Sequence, residues 1–99
     1  MRASGNPLFV QALAAEIKSR RNEAGLTQED LAGASELDRP YITLMEAGKK
    51  QPTVSVLWRI GQGLNIPASE LLIGAERRYA ALKAPPTPIE EPNSKLALE

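Results

Sequence analysis

Chemistry needs side chains that can move a proton, hold a metal or cradle a phosphate, and this 99-residue chain offers few of them. It has no Cys and no His, which removes disulfides, thiolate and imidazole metal ligands, Cys nucleophiles and His-based proton transfer. The acidic neighbours Glu29/Asp30 diverge on a helix, and Glu90/Glu91 lie on a proline-rich tail; neither pair aims two carboxylates at one bond. Gly61-Gln62-Gly63 falls inside a helical period, so its glycines read as close-packing positions rather than a phosphate loop. No catalysis, metal, cofactor or small-molecule substrate is expected. What remains is recognition: "ASELDRPYITLMEAG", residues 34–48, reads as two helix pieces joined by a tight turn, the form that lays a helix into a DNA major groove.

Charge opposes that reading. Twelve Lys and Arg balance twelve Asp and Glu, whereas long-range attraction to phosphate comes from positive charge. Three glutamates against one lysine in residues 84–99 leave the rest of the chain with two net positive charges, a slightly basic domain with an acidic tail. No apolar run approaches the ~18 residues of a membrane span, and "MRASGNPLF" lacks a secretory apolar core. A cytoplasmic protein with no membrane partner is expected.

The elements that must position the recognition residues are all helical. Asn6 and Pro7 open a helix to about Ala24, with Phe9, Leu13 and Ile17 as its inner stripe, Val10 and Ala14 widening it, and Gly25 stopping it. Thr27 caps a short helix over 28–34 whose Leu31 and Ala32 face inward. Asp38 is placed as the cap of a helix over 39–47, with Pro40 tolerated in its first turn and Ile42 and Met45 in the core. Thr53 caps a fourth helix over 54–64, where Val54, Leu57, Ile60, Gly61 and Leu64 keep a helical period. The run from Ala68 to Ala84 is helical in propensity, and Gly74 either ends the fifth helix, leaving a second segment over 75–84, or lies within it. The pattern predicts an all-α domain over 7–84, a flexible arm over 1–6 and a Pro-rich acidic tail over 85–99, whose closing "KLALE" reads as vector-derived as readily as native.

The spacing of "GLTQ", "LA", "YI", "E-x-G-K", "P-T", "L-x-x-I" and "SELL" resembles the lambda-repressor-like DNA-binding domain, the Cro and phage-repressor (XRE) family, over roughly residues 13–73 without insertion. The resemblance implies a five-helix fold with a helix-turn-helix, in which the third helix enters the major groove of double-stranded DNA. It places Arg39, Pro40, Thr43 and Leu44 toward base edges. Arg39 can grip guanine O6 and N7 or pair with Asp38 instead, and Thr43 and Leu44 serve base contact, helix packing or dimer contact. Gln28, Tyr41, Lys49, Lys50 and Gln51 fall beside the phosphates, Tyr41 with packing over the second helix as its alternative. Arg20, at a position often apolar in the family, would snorkel toward a phosphate. Arg21 and Glu46 occupy positions often joined by an ion pair.

Two departures stand out from that pattern. Glu36 replaces the glycine common between the second and third helices, where a positive φ costs a side-chain-bearing residue on the order of 1 kcal/mol. Pro40 replaces a polar base-contacting residue and narrows the reading surface. Trp58, with Leu72, Ile73, Tyr79 and Leu82, either packs or forms a two-fold homodimer interface. The reading that follows is a homodimeric, sequence-specific transcriptional regulator. The alternative is a protein-binding module, an antitoxin or adaptor, with DNA contact secondary.

Overall fold

Helix-start residues make their bonds in the order the chain presents them. In the computed structural model, which describes residues 5–84, Asn6 Oδ1 accepts from the Phe9 N–H at 3.1 Å and Pro7 opens α1, Pro7–Glu23. Thr27 and Asp30 form a reciprocal capping box at α2, Gln28–Ser35: Asp30 N–H donates to Thr27 Oγ1 at 3.0 Å, and Thr27 N–H to Asp30 Oδ2 at 2.9 Å. Thr53 Oγ1 caps α4, Val54–Leu64, through the Val56 N–H. The other two helices are α3, Arg39–Glu46, and α5, Ala68–Lys83; no strand occurs among the described residues. Most of the expected arm and all of the tail from residue 85 lie outside the described residues.

One expectation is corrected, and the open boundary at Gly74 is resolved. Asp38 sits at the N-cap of α3 but makes no side-chain cap bond; the Tyr41 N–H, at the position the other caps use, donates to the Asp38 backbone carbonyl at 3.1 Å instead. Val54 begins α4 as the period implies, and its side chain is exposed. Gly74 does not end α5, which runs unbroken to Lys83. Its missing side chain serves a tertiary purpose, because a Cβ there would overlap the Glu16 carboxyl packed against it from α1.

Glu36 adopts the left-handed conformation, φ 58° and ψ 44°, that the family pattern assigns to glycine. The turn therefore keeps its form and carries the strain. Its helix-end bonds offset the cost: Glu36 N–H donates to Gly33 O, and Leu37 N–H to Ala32 O at 2.8 Å. Gly25, Gly48 and Asn65 are the other left-handed residues among the described residues, each following a helix.

The core draws on every helix: Leu13 and Ile17 from α1, Leu31 and Ala32 from α2, Ile42 and Met45 from α3, Leu57, Ile60 and Leu64 from α4, Leu71 and Ala75 from α5. Each large aliphatic side chain buried this way contributes about 1.5–3 kcal/mol. Gly61 and Gly63 let α4 approach its neighbours, since a Cβ at Gly61 would lie 2.8 Å from Ile66 O and one at Gly63 would overlap Ser35 Oγ. Together these contacts seat α2 and α3 on the scaffold with their N-termini outward.

Candidate nucleic-acid interface

The outer face of α3 is set by a chain of hydrogen bonds that begins in α1. Arg21, 8% exposed, grips Glu46 with two bonds, Nε to Oε2 at 2.6 Å and Nη2 to Oε1 at 3.0 Å, and its Nη1 donates to Leu26 O at 2.7 Å. This bidentate pairing with a carboxylate raises the Arg21 pKa, against the opposing effect of burial. Glu46 Oε1 also accepts from Gln28 Nε2 at 3.1 Å, and Gln28 Oε1 accepts from Thr43 Oγ1 at 2.7 Å. One continuous brace thus ties the end of α3, its middle and the start of α2 to α1.

Above the brace Arg39, Pro40, Thr43 and Leu44 are exposed, with no ion pair between Arg39 and Asp38. Tyr41 is half-buried against the core, burial raises its pKa, and Lys50 Nζ lies 5.8 Å from its ring centroid. Lys49, Lys50 and Gln51 are exposed on the loop into α4. At the start of α2 the capping box uses the Asp30 N–H, so the Gln28 and Glu29 N–H groups remain as outward donors for an anion. The same box brings the Asp30 carboxylate to that helix start.

Arg20 does not belong to this surface. Its Nε holds Glu16 Oε2 at 2.9 Å and its Nη1 reaches Glu70 Oε1 at 3.3 Å, so the guanidinium is turned to α5 and the expected phosphate contact is revised. Arg78 Nε takes the other Glu16 oxygen at 2.8 Å. Burial pushes the Glu16 carboxyl up, but the hydrogen bonds and charges of Arg78 and Arg20 outweigh it and hold it below its ordinary 4.5. Composition and helix period gave no sign of this α1–α5 cluster, whose members Glu16 and Arg78 stand 62 residues apart.

The five expected interface residues do not form one patch. Trp58 and Leu72 line a groove with Val54, Phe9 and Pro52. Tyr79 turns inward, edge-on to Phe9 at 5.5 Å between ring centroids, with its hydroxyl accepting from Asn6 Nδ2. Ile73 instead borders the Glu16 cluster, and Leu82 lies against Gln11, Ala12 and Ala15 of α1.

A short exposed helix, braced through a tight turn against the start of the helix before it, defines a helix-turn-helix. Residues 17–71 match the helix-turn-helix family, and the chain belongs to it, in the Cro and phage-repressor branch. A relative of known sequence, the uncharacterized HTH-type transcriptional regulator YqaF of Bacillus subtilis, is 42% identical over 48 residues, 48% of this chain and 63% of that protein. The chain thus spans less than two thirds of that relative's length. Among solved structures, the clp gene regulator ClgR of Corynebacterium glutamicum superposes with a TM-score of 0.71 at 28% identity, covering 75% of this chain and 79% of that one. The restriction-modification controller protein C.Esp1396I, solved as a tetramer with its natural 35 base-pair operator, gives a TM-score of 0.67 at 32% identity over 72% of this chain and 93% of that one.

Proposed function

We propose that the chain is a sequence-specific, DNA-binding transcriptional regulator acting as a homodimer on a two-fold symmetric operator, by occupancy and without catalysis. The observation that carries this is the Arg21–Glu46–Gln28–Thr43 brace, which fixes the orientation of α3 relative to the start of α2. In this reading α3 lies in the major groove with Arg39, Pro40, Thr43 and Leu44 toward base edges. Gln28, Tyr41, Lys49, Lys50 and Gln51 meet the flanking phosphates. The operator-bound C.Esp1396I tetramer supports it by likeness of fold. Trp58, Leu72 and Val54 supply the two-fold contact, so that two reading helices meet successive grooves about 34 Å apart.

A second reading, a protein-binding antitoxin or adaptor, is favoured by that same apolar groove, where Trp58 is 59% exposed, and by zero net charge. One experiment separates the two: selection of bound sites from random duplexes, followed by affinity against salt for the best site. The DNA reading expects a two-fold symmetric motif, affinity falling with salt, and a loss of about 1–3 kcal/mol for Arg39→Ala. No enriched motif from an intact folded dimer overturns it in favour of the partner-binding reading.

A further inference from the structure

The brace has a direction, and that direction reaches the reading surface. Glu46, ionised beside Arg21, can only accept hydrogen bonds. It therefore takes the Gln28 side chain by its nitrogen, Nε2 at 3.1 Å, which leaves the amide oxygen toward Thr43. Reversing the amide would set two oxygens against each other at that distance. The Thr43 hydroxyl has one proton and two near partners, Gln28 Oε1 at 2.7 Å and the Arg39 carbonyl at 3.2 Å. Both accept. Whichever one takes the proton, it is spent inside the protein, and the exposed side of Thr43 Oγ1 presents lone pairs alone.

A free threonine hydroxyl reads either base chemistry, because it can donate or accept. Here the choice is removed. In the major groove, amino groups are the donors, N6 of adenine and N4 of cytosine, whereas guanine O6 and thymine O4 accept and would face a second acceptor. We infer that Thr43 is a specificity-determining residue that selects an amino-bearing base, adenine or cytosine, over a keto base on the strand it faces, with its polarity imposed by Glu46 through Gln28. This rests on the reading of α3 as the DNA-reading helix.

The test is site selection from random duplexes with the full chain and two variants. Thr43→Val keeps the branched shape and a γ-methyl but loses the oxygen; Thr43→Ser keeps the oxygen. The wild type is expected to show one position per half-site where adenine and cytosine exceed guanine and thymine by about three- to tenfold, the worth of one hydrogen bond. Thr43→Val flattens that position and, because it also removes the Thr43–Gln28 bond of the brace, lowers affinity for every site alike, whereas Thr43→Ser preserves both. Replacing the selected adenine by purine, which lacks the amino group, costs the wild type the same factor and costs Thr43→Val nothing. A keto base selected at the Thr43-dependent position, or a motif that Thr43→Val leaves unchanged, overturns the inference while the DNA reading stands. No motif from any folded version overturns both.

Discussion

Replacing Glu46 with alanine tests whether the brace is a buried electrostatic element or a surface ornament. The side chains of Arg21 and Glu46 are 10% and 3% exposed, so removing the carboxylate strands a guanidinium in a place water barely reaches. Breaking a buried pair costs about 3–5 kcal/mol. One part of the guanidinium keeps a partner, the Leu26 carbonyl at 2.7 Å, which lowers the expectation to about 2–4 kcal/mol. For a domain of this size each kcal/mol moves the melting temperature by about 4–8 °C, so Glu46→Ala is expected to melt roughly 10–30 °C lower. Urea unfolding followed by circular dichroism measures the free energy directly. The double variant Arg21→Met/Glu46→Leu removes both charges and fills similar volume, and it is expected to recover to within about 1 kcal/mol of the wild type. A loss below about 1 kcal/mol for Glu46→Ala, the range of exposed pairs, would refute the account of the brace.

Other substitutions separate local strain from tertiary packing. Gly74→Ala drives a methyl into the Glu16 carboxyl, an overlap costing about 1–3 kcal/mol that the ~1 kcal/mol helix gain of alanine over glycine partly offsets, read as a lower urea midpoint with unchanged helix content. Glu36→Gly relieves a left-handed backbone but frees the unfolded chain, for a net gain of up to about 0.6 kcal/mol and a slightly higher melting temperature. The Glu16 carboxyl is held below its ordinary 4.5 in the fold, as is Asp30 below its ordinary 3.8 by the Thr27 backbone N–H and hydroxyl. A depressed carboxylate stabilises fully above its unfolded pKa, so melting temperature should be flat above pH ~5 and fall as the pH drops through the folded values. Glu16→Gln makes that acid slope shallower, and an unchanged slope would remove Glu16 from the account.

Local signals in the sequence were legible because their cause is local. Asn6, Thr27 and Thr53 cap helices with bonds to a residue three positions on, and Leu31, Ile42 and Ile60 keep the helical period to a core in which each is 0% exposed. Reading failed where the cause was distant. Gly74 stayed ambiguous between helix stop and helix interior because its reason, Glu16, lies on another helix. Arg20 looked available because Glu70 meets it only after α1 and α5 pack. Asp38 holds the cap position as the local rule says, but the Tyr41 N–H goes to its backbone carbonyl and not to its side chain. Arg39, Pro40, Thr43 and Leu44 are exposed on α3, but the direction of the Gln28–Thr43 bond depends on Glu46 and emerges only in three dimensions.

The α1–α5 clasp also bears on how fast the chain comes apart. Leu37 N–H closing on Ala32 O joins α2 to α3 over five residues, whereas Glu16 and Arg78 must meet across 62. Contacts that close long loops carry their entropy cost up front and tend to form late. Interactions absent from the folding transition state act on the unfolding rate and leave the folding rate nearly alone. Glu16, seated in the notch of Gly74 between two arginines, is therefore a latch on lifetime: loosening it shortens how long each folded molecule persists and barely alters how quickly a new one forms.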